Sequence, residues 1–262
     1  MKLITLSQKI KRSNTLQNQL VFLLQKNFIM SNKRHNKSQK ELVEELIQRG
    51  TIKTQEVELA MLSVDRSDFI NKDPYLDIPQ QIGYNVTISA PHMHAFSLSY
   101  LQRHLISGKP VRVLDIGCGT GYLCPAFLKM IPVQFQQQST IVGIDHVKDL
   151  VQLSDRNIRK SFSQELDKKQ IILVTGDGRE GYQQLAPYDA IHVGAAAEKI
   201  PEALLQQLNF GGRMLIPVGK HGGEQEFLAI DKDLQGKITQ TRLFGVSYVP
   251  LTSIQKQLGT QK

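Results

Sequence analysis

The chain has 262 residues, enough for one α/β domain with a buried core. Its formal charge of +8 comes from the N-terminal arm, because residues 1–40 hold nine of the 32 lysines and arginines and none of the 24 acids. The rest of the chain is nearly neutral, which argues against a basic groove that would bind nucleic acid. The two cysteines, Cys118 and Cys124, exclude a disulfide framework and lack the spacing of metal ligands, so we expect no bound metal.

The basic arm, residues 1–37, is predicted to be a disordered extension. We favour an unstructured, dispensable stretch upstream of an alternative start at Met30. An organelle-targeting peptide is the alternative, because the arm is free of acids, although it is rich in Gln and Asn and holds only two arginines. Its longest apolar run, residues 20–24, is far shorter than the ~20 residues that span a bilayer, so we predict no transmembrane helix in it. We separately predict that the protein is cytoplasmic, monomeric and does not bind membranes.

The folded part, residues 38–262, is predicted to begin with two helices. Residues 38–49 place apolar side chains at helical spacing, with Ser38 as a candidate N-cap and Gly50 as a stop. Residues 54–64 show the same periodicity. We therefore expect two short amphipathic helices ahead of the rest of the domain.

An ordered loop region is predicted after these helices. Residues 71–91 contain three prolines and a glycine at intervals that forbid long elements, which leaves room for one short extended piece at residues 85–89. A helix is predicted over residues 94–106. Residues 38–110 would thus form an N-terminal section of helices and loop.

Short apolar strands then alternate with helices. Strands are predicted over residues 111–116, 140–144, 171–174, 190–193 and 213–217, and helices over residues 122–130, 148–162 and 198–208. This alternation predicts a Rossmann-like α/β fold over residues 111–262, with a mainly parallel central sheet and helices on both faces. Residues 226–231 and 238–249 predict an antiparallel C-terminal hairpin, and the Gln-rich stretch 134–138 predicts a surface loop.

A glycine turn follows the first of these strands. Asp115 lies near the strand end, and Gly117, Gly119 and Gly121 follow at alternate positions. Glycine is needed where the backbone adopts conformations closed to other residues and lets a ligand approach. A dinucleotide fingerprint would place the third glycine three residues after the second, whereas here it comes two residues later. The pattern resembles the first motif of S-adenosylmethionine-dependent methyltransferases, which implies this cofactor.

Two further acids follow predicted strands. Asp145 ends the second strand, where a carboxylate can accept hydrogen bonds from a ribose diol, and Asp177 follows the third. Each could instead be a helix N-cap, but acids or glycine turns at three successive strand ends favour a nucleotide-type site. Cys118, inside the glycine turn, is predicted to be a small packing residue, since nothing obvious activates its thiol.

A closer resemblance rests on ordered blocks along the chain. Residues 80–94, Gln-Gln-Ile-Gly-Tyr-Asn-Val-Thr-Ile-Ser-Ala-Pro-His-Met-His, resemble the signature of protein-L-isoaspartate (D-aspartate) O-methyltransferases. Further similar blocks lie in the expected order at residues 74–77, 143–146, 176–179, 186–197, 211–213, 216–219 and 248–252. The similarity covers residues 38–258, and only the arm falls outside it.

The resemblance implies the reaction. A methyl group would pass from S-adenosyl-L-methionine, leaving S-adenosyl-L-homocysteine, to the α-carboxylate of an L-isoaspartyl residue or the β-carboxylate of a D-aspartyl residue in damaged proteins or peptides. The methyl ester would then collapse to a succinimide, which starts repair. No general base is expected, because the sulfonium methyl is activated and a carboxylate with a pKa of about 4 is already an anion at neutral pH.

The resemblance also implies which residues act. Ser89 would be the catalytic residue, and its hydroxyl would contact the acceptor carboxylate. The predicted cofactor-binding residues are Val86, Thr87, Ile88, Ser89, His94, Asp115, Gly117, Gly119, Gly121, Asp145, His146, Asp177, Gly178, Thr252 and Gln257. The predicted substrate-binding residues are Ser89, Val193, Gly194, Ala195 and Ala196. Small residues in the last segment would let a substrate backbone lie against the loop.

Three alternatives stay open. His94 could be a histidine that only satisfies the start of a helix. The chain could methylate another small molecule or nucleic acid, although the Asn/Asp-Pro-Pro-Tyr/Phe motif of base methyltransferases is absent after the fourth strand. It could also be an inactive binding module of the same fold, against which the intact motif residues argue.

Overall fold

The computed structural model describes residues 36–259. The predictions of a disordered extension, of an alternative start at Met30 and of an organelle-targeting peptide concern residues that lie almost entirely outside this range. Asn36 and Lys37 are described and contact the body: the Asn36 side chain donates to the Tyr75 carbonyl, and the Lys37 amide donates to the Glu41 carboxylate. Both residues are therefore part of the described body.

Two helices open this body, as the periodicity predicted. α1 spans Gln39–Gln48, and the Ser38 hydroxyl caps it by accepting a hydrogen bond from the Glu41 amide at 3.2 Å. α2 spans Gln55–Leu62 and is followed by a 3-10 turn, Arg66–Asp68. The apolar faces of both helices pack into the larger of two hydrophobic cores.

The loop region contains a hairpin, where the sequence predicted one extended piece. β1 spans Gln80–Gly83 and pairs antiparallel with β2, Val86–Ile88. The turn residues Tyr84 and Asn85 have φ angles of 53° and 59°, the left-handed conformations that a two-residue hairpin turn needs. The prediction missed β1 because such turns usually carry Asn-Gly or Asp-Gly, not Tyr-Asn.

Seven strands form the main sheet. Their bounds are β3 Arg112–Ile116, β4 Thr140–Asp145, β5 Ile171–Thr175, β6 Tyr188–Val193, β7 Leu208–Gly219, β8 Gln225–Lys232 and β9 Ile238–Val246. In space they lie in the order β5-β4-β3-β6-β7-β8-β9; the first five run parallel, and β8 and β9 run antiparallel to their neighbours. The strand order reverses beside β3, which opens a crevice at the carboxyl ends of β3 and β6.

Helices cover both faces of this sheet. The remaining helices are α3 Pro91–Leu105, α4 Leu123–Met130, α5 Val133–Gln136, α6 Lys148–Asp167, α7 Glu202–Gln207 and α8 Ile254–Leu258. Alternate strand residues face opposite cores: Val113 packs with α1 to α4, whereas Leu114 packs with α7. The predicted Rossmann-like fold, with its parallel sheet and antiparallel C-terminal hairpin, is confirmed.

Several element bounds differ from the prediction. The helix predicted over residues 198–208 is shorter, and β7 is longer than predicted, because pairing with β6 and β8 extends it in both directions. The predicted surface loop at residues 134–138 contains most of α5. α6 continues past its predicted end at Phe162, where φ of −134° and ψ of 35° mark a kink.

The described residues contain neither a helix that could span a membrane nor a cluster of metal-ligand side chains, and both cysteines in them are free thiols. No helix among residues 36–259 is long and apolar enough to cross a bilayer. The same residues contain no group of three or more His, Cys, Asp or Glu side chains placed to hold a metal ion. Cys118 and Cys124 are buried free thiols, and burial raises the pKa of both well above the usual range, so neither is a nucleophile at neutral pH.

Candidate active site

A cleft lies at the carboxyl ends of the parallel strands. It encloses about 520 Å³, part of which is open to solvent. The residues that line it are Val86, Thr87, Ile116, Gly117, Gly119, Ile144, Asp145, His146, Gly178, Gly194, Ala195, Val249, Pro250, Leu251, Thr252 and Gln257. This is where open α/β sheets bind ligands, and more than half of the predicted site residues meet there.

The glycine turn forms one border of the cleft. Gly117 and Gly119 have φ angles of 70° and 57°, which residues with a side chain rarely adopt. α6 holds the turn in place, because the Ser154 hydroxyl donates to the Gly119 carbonyl at 2.9 Å. Gly121 does not line the cleft but lets α6 pack closely, since a Cβ there would lie 3.0 Å from Ser154 and Ile158. The third glycine therefore serves packing between elements.

The turn amides are used within the protein. The amides of Gly117 and Cys118 donate to the Ile144 carbonyl at 2.8 and 3.1 Å, and the Gly119 amide donates to Asp145 Oδ2 at 3.2 Å. A pyrophosphate group would need such amides to be free. The cleft therefore fits a nucleoside-type ligand that has no pyrophosphate, which agrees with the cofactor class indicated by the glycine spacing.

Asp145 presents a carboxylate at the end of β4. Its oxygens accept hydrogen bonds from the amides of Gly119 and Val147, the second at 3.0 Å. Burial raises the pKa of Asp145, and these two hydrogen bonds oppose the rise. Each carboxylate oxygen has a further lone pair, so Asp145 can still accept from ligand hydroxyls in the cleft.

Asp115 is turned away from the cleft. Its Oδ1 lies 2.7 Å from His192 Nδ1, and only 2% of Asp115 is exposed. The two residues face each other in the register of β3 and β6, so their hydrogen bond joins these strands. Asp115 is not among the residues that line the cleft, and its carboxylate stabilises the strand ends that carry the glycine turn; its contact with the cofactor stays a prediction.

Asp177 and Gly178 follow β5 and differ in position. The Arg179 guanidinium binds the Asp177 carboxylate, with Nε 2.9 Å from Oδ1, and this hydrogen bond lowers the pKa of Asp177. Asp177 does not line the cleft. Gly178 does, and a Cβ at this position would collide with the Ile116 side chain. Gly178 therefore allows the loop after β5 to lie against the end of β3.

Ser89 lies beside the cleft, at the junction of β2 and α3. Val86 and Thr87 line the cleft, whereas Ile88 is buried in the larger core. Ser89 is half-buried and its side chain lies near Tyr248: burial raises the pKa of Tyr248 to about 12, and the Ser89 side chain opposes this rise. Because Tyr248 directly precedes the tail that lines the cleft, two borders of the site come close together here.

His94 lies outside the cleft. It is 5% exposed, its ring stacks on Tyr122 with centroids 4.5 Å apart, and its Nδ1 accepts a hydrogen bond from Arg66 Nη1 at 3.2 Å. Burial and the Arg66 charge hold the pKa of His94 well below its usual range, so the ring is neutral. These contacts are compatible with the alternative interpretation, a satisfied histidine near a helix start, and a role of His94 beside the cofactor stays a prediction.

The small residues after β6 fall into two groups. Gly194 and Ala195 line the cleft. Val193 is fully buried in the sheet, and both backbone groups of Ala196 hydrogen-bond to residues 249–251 at 2.8 Å. Because the Ala196 backbone already pairs with the tail, it is not free for a substrate. Of the predicted substrate-binding residues, Gly194 and Ala195 line the cleft, whereas Val193, Ala196 and Ser89 do not; their contacts with a substrate stay predictions.

The C-terminal segment folds over the cleft. Thr252 and Gln257 both line it. His146 Nε2 donates to Gln257 Oε1 at 2.8 Å, and Gln257 Nε2 donates to the Tyr84 carbonyl at 3.0 Å. The Asn85 side chain donates to the Gln257 carbonyl at 3.1 Å. One glutamine therefore joins α8, the end of β4 and the β1–β2 turn.

Several residues at the site were missed by the sequence-based prediction. Ile116 and Ile144 form apolar walls, and their positions at the carboxyl ends of β3 and β4 could have indicated this. Residues 249–251 also line the cleft and lay within a block that supported the family resemblance. Arg66, which contacts Ser89, had no signal in the sequence.

The family of the chain follows from comparison with known proteins. The model of the protein-L-isoaspartate(D-aspartate) O-methyltransferase family matches residues 36–256. The chain belongs to this family. The protein-L-isoaspartate O-methyltransferase of Caenorhabditis elegans is 48% identical over 217 residues, which cover 83% of this chain and 93% of that protein. Protein-L-isoaspartate O-methyltransferase 1 of Arabidopsis thaliana is 46% identical over 222 residues, covering 84% and 93%.

A solved structure of a family member is similar throughout the described body. A Plasmodium falciparum protein with the same enzyme name, crystallised in complex with S-adenosyl-L-homocysteine, is 36% identical and superposes with a TM-score of 0.76. The match covers 83% of this chain and 99% of that one. The region matched by the family model contains all cleft-lining residues except Gln257.

Proposed function

We propose that this chain transfers a methyl group from S-adenosyl-L-methionine to the carboxylate of L-isoaspartyl residues, and of D-aspartyl residues, in damaged proteins and peptides. The cleft is the observation that carries the proposal, because its glycine turn, its Asp145 carboxylate and the Ser89 segment beside it combine a nucleoside site with a hydroxyl donor. Family membership and the names of the relatives support the same reaction.

The cleft residues fit the cofactor. Asp145 would accept hydrogen bonds from the ribose, and the apolar walls Ile116 and Ile144 would contact the adenine. Gly117 and Gly119 keep side chains out of the ligand space. When bound, S-adenosyl-L-methionine supplies a methyl group that its sulfonium charge already activates. The relative crystallised with S-adenosyl-L-homocysteine supports this assignment.

The acceptor requires positioning and no proton transfer. A carboxylate is already an anion at neutral pH, so its oxygen can attack the methyl carbon directly. We infer that the Ser89 hydroxyl donates to one carboxylate oxygen while Gly194 and Ala195 leave room for the peptide backbone. The product is a methyl ester, which closes to a succinimide when the neighbouring backbone nitrogen attacks and methanol leaves.

We also infer how the protein meets its substrates. Damaged proteins and peptides would be its partners, and the nearly neutral charge beyond residue 40 supports the inference that it binds no nucleic acid. We infer a monomer, because residues of one chain form the cleft. We also infer that the protein is cytoplasmic and does not bind membranes. Residues 1–29, upstream of Met30, would be dispensable for catalysis.

A peptide assay tests the reaction. Purified protein is incubated with labelled S-adenosyl-L-methionine and with two peptides that differ only in an isoaspartyl or a normal aspartyl linkage. We expect label in the isoaspartyl peptide alone, as a base-labile ester. Equal labelling of both peptides would reject the isoaspartyl residue as the specific substrate. If neither peptide is labelled, the protein either methylates a different substrate or has no methyltransferase activity.

A further inference from the structure

Arg66 is a buried cation to which the proposed reaction assigns no role. It is 0% exposed in the 3-10 turn after α2, and although burial lowers its pKa to about 10, the group stays charged at neutral pH. Among the described residues it forms no ion pair, and its Nε has no hydrogen-bond partner. The Asp77 carboxylate attracts the guanidinium without forming an ion pair with it, and Asp77 is already bonded to His92 and Arg49. A buried charge that lacks a hydrogen-bonded counter-ion costs stability, so packing alone does not explain Arg66.

The guanidinium contacts the segment that carries Ser89. Its Nη2 donates to the Ser89 carbonyl at 2.8 Å, and its Nη1 donates to His94 Nδ1 at 3.2 Å. Its carbon lies 5.8 Å from the centre of the Tyr122 ring, which packs beneath it. Arg66 therefore holds both sides of the junction between β2 and α3, where the chain passes the cleft.

The charge of Arg66 complements the proposed acceptor. No lysine or arginine lines the cleft formed by residues 36–259, and Asp145 contributes a negative charge to it. An incoming carboxylate adds a second negative charge. The Arg66 guanidinium is hydrogen-bonded to the Ser89 backbone on the side away from the cleft. Solvent screens its electric field only weakly, because the guanidinium is buried.

We propose that Arg66 is a positioning residue for the acceptor carboxylate: it fixes the Ser89 segment and places a positive charge behind the site where that carboxylate binds. This inference rests on the proposed methyl transfer. A comparison within the chain supports it, because Arg213, a half-buried arginine far along the sequence, has the Asp231 carboxylate at 2.8 Å as its partner. Arg66 directly contacts a carbonyl, an imidazole and a ring, and the Asp77 carboxylate acts on it without an ion pair.

Kinetics of Arg66→Met and Arg66→Lys test the inference. Met keeps much of the apolar stem but no charge, so we expect KM for an isoaspartyl peptide to rise about tenfold. The Kd for S-adenosyl-L-homocysteine, measured by calorimetry, should stay within about twofold of wild type because Arg66 does not line the cleft. Lys restores the charge but only part of the fork, so its KM should rise about threefold.

Arg213→Met is the matched control. It also removes an arginine that donates to a backbone carbonyl, that of Tyr100 at 3.1 Å, but it lies away from the carboxyl ends of the strands. We expect this variant to lower Tm because it leaves Asp231 unpaired, while KM stays within about twofold of wild type. The control separates loss of stability from loss of acceptor positioning.

Three results would overturn the role of Arg66: an unchanged KM for Arg66→Met, a parallel loss of peptide and S-adenosyl-L-homocysteine binding, or equal impairment by Lys and Met. If Arg66→Met does not fold, Arg66→Gln replaces it, because the glutamine amide can donate to the Ser89 carbonyl without carrying a charge. Equal KM values for the Gln and Lys variants would then overturn the inference. Failure of the wild-type protein to methylate the peptide would reject the proposed function itself.

Discussion

The direction of single side chains decides which acids reach the cleft. Asp115 and Asp145 both lie near the carboxyl ends of neighbouring strands, and the sequence predicted a cofactor contact for each. Asp145 is the last residue of β4 and lines the cleft, whereas Asp115 lies within β3 and faces His192 across the sheet. Strand-end position is visible in a sequence, but the cross-strand partner that captures a carboxylate is not.

Ser89→Ala tests the catalytic residue. Loss of a hydrogen bond to a charged acceptor should reduce kcat/KM for an isoaspartyl peptide by about tenfold or more. Cofactor affinity should hardly change, because Ser89 does not line the cleft. Ser99→Ala, in the following helix α3 with its hydroxyl bonded to the Ala95 carbonyl, is the matched control. Wild-type kinetics for Ser89→Ala would remove it from the catalytic site.

At the scale of elements, the cleft is closed by two segments that meet at Gln257. The β1–β2 turn and α8 each lie at the border of the site, and neither has the length to be stable alone. Tyr84 adds a further link, since its hydroxyl donates to Asp149 at 2.6 Å. The strained turn at Tyr84 is therefore stabilised by contacts with distant residues, which explains why local sequence rules did not predict it.

Gln257→Ala tests this junction. Removing the amide breaks its bonds to His146 and to the Tyr84 carbonyl, which should free α8 from the cleft and weaken S-adenosyl-L-homocysteine binding by about fivefold. Calorimetric titration measures the affinity. Lys256→Ala changes the neighbouring residue of α8 and should bind as wild type does. Equal affinities for the two variants would show that Gln257 does not organise the site.

For the molecule as a whole, stability should depend on a second buried histidine. His104, in α3, is 6% exposed, and neither ring nitrogen has a hydrogen-bond partner within residues 36–259. Burial, together with the Arg213 charge, lowers the pKa of His104 from 6.5 to about 4. The unfolded chain therefore binds more protons than the folded one below pH 6.5, so stability is complete above that pH and is lost as the pH falls toward 4.

Urea unfolding at two pH values measures this effect. Between pH 7.5 and pH 5, His104 alone should cost about 2 kcal/mol of unfolding free energy. His104→Leu should remove this part of the acid sensitivity, although His94 shifts in the same direction and leaves a remainder. His221→Asn, in an exposed loop, is the control and should lose as much as wild type. An equal loss in His104→Leu would contradict the assignment.

The sequence by itself determined the family, the alternation of strands and helices in the core of the domain, and the cofactor class. These follow from local patterns: apolar periodicity sets the elements, and the spacing of Gly117, Gly119 and Gly121 separates a nucleoside site from a dinucleotide site. The resemblance to the methyltransferase family is carried by similar segments that occur in the same order along the chain, each confined to one short stretch of sequence.

Only the tertiary structure decided which side chains meet. The contact of Arg66 with Ser89, the hydrogen bond of Asp115 with His192 and the bridge through Gln257 each join segments 23 to 173 residues apart. Their geometry depends on how helices and strands pack, and a chain read locally does not contain that information. For this reason the sequence predicted where the site lies and placed Thr252 and Gln257 in it, whereas the contacts of Arg66 and the hydrogen-bond partners of Gln257 emerged from the fold.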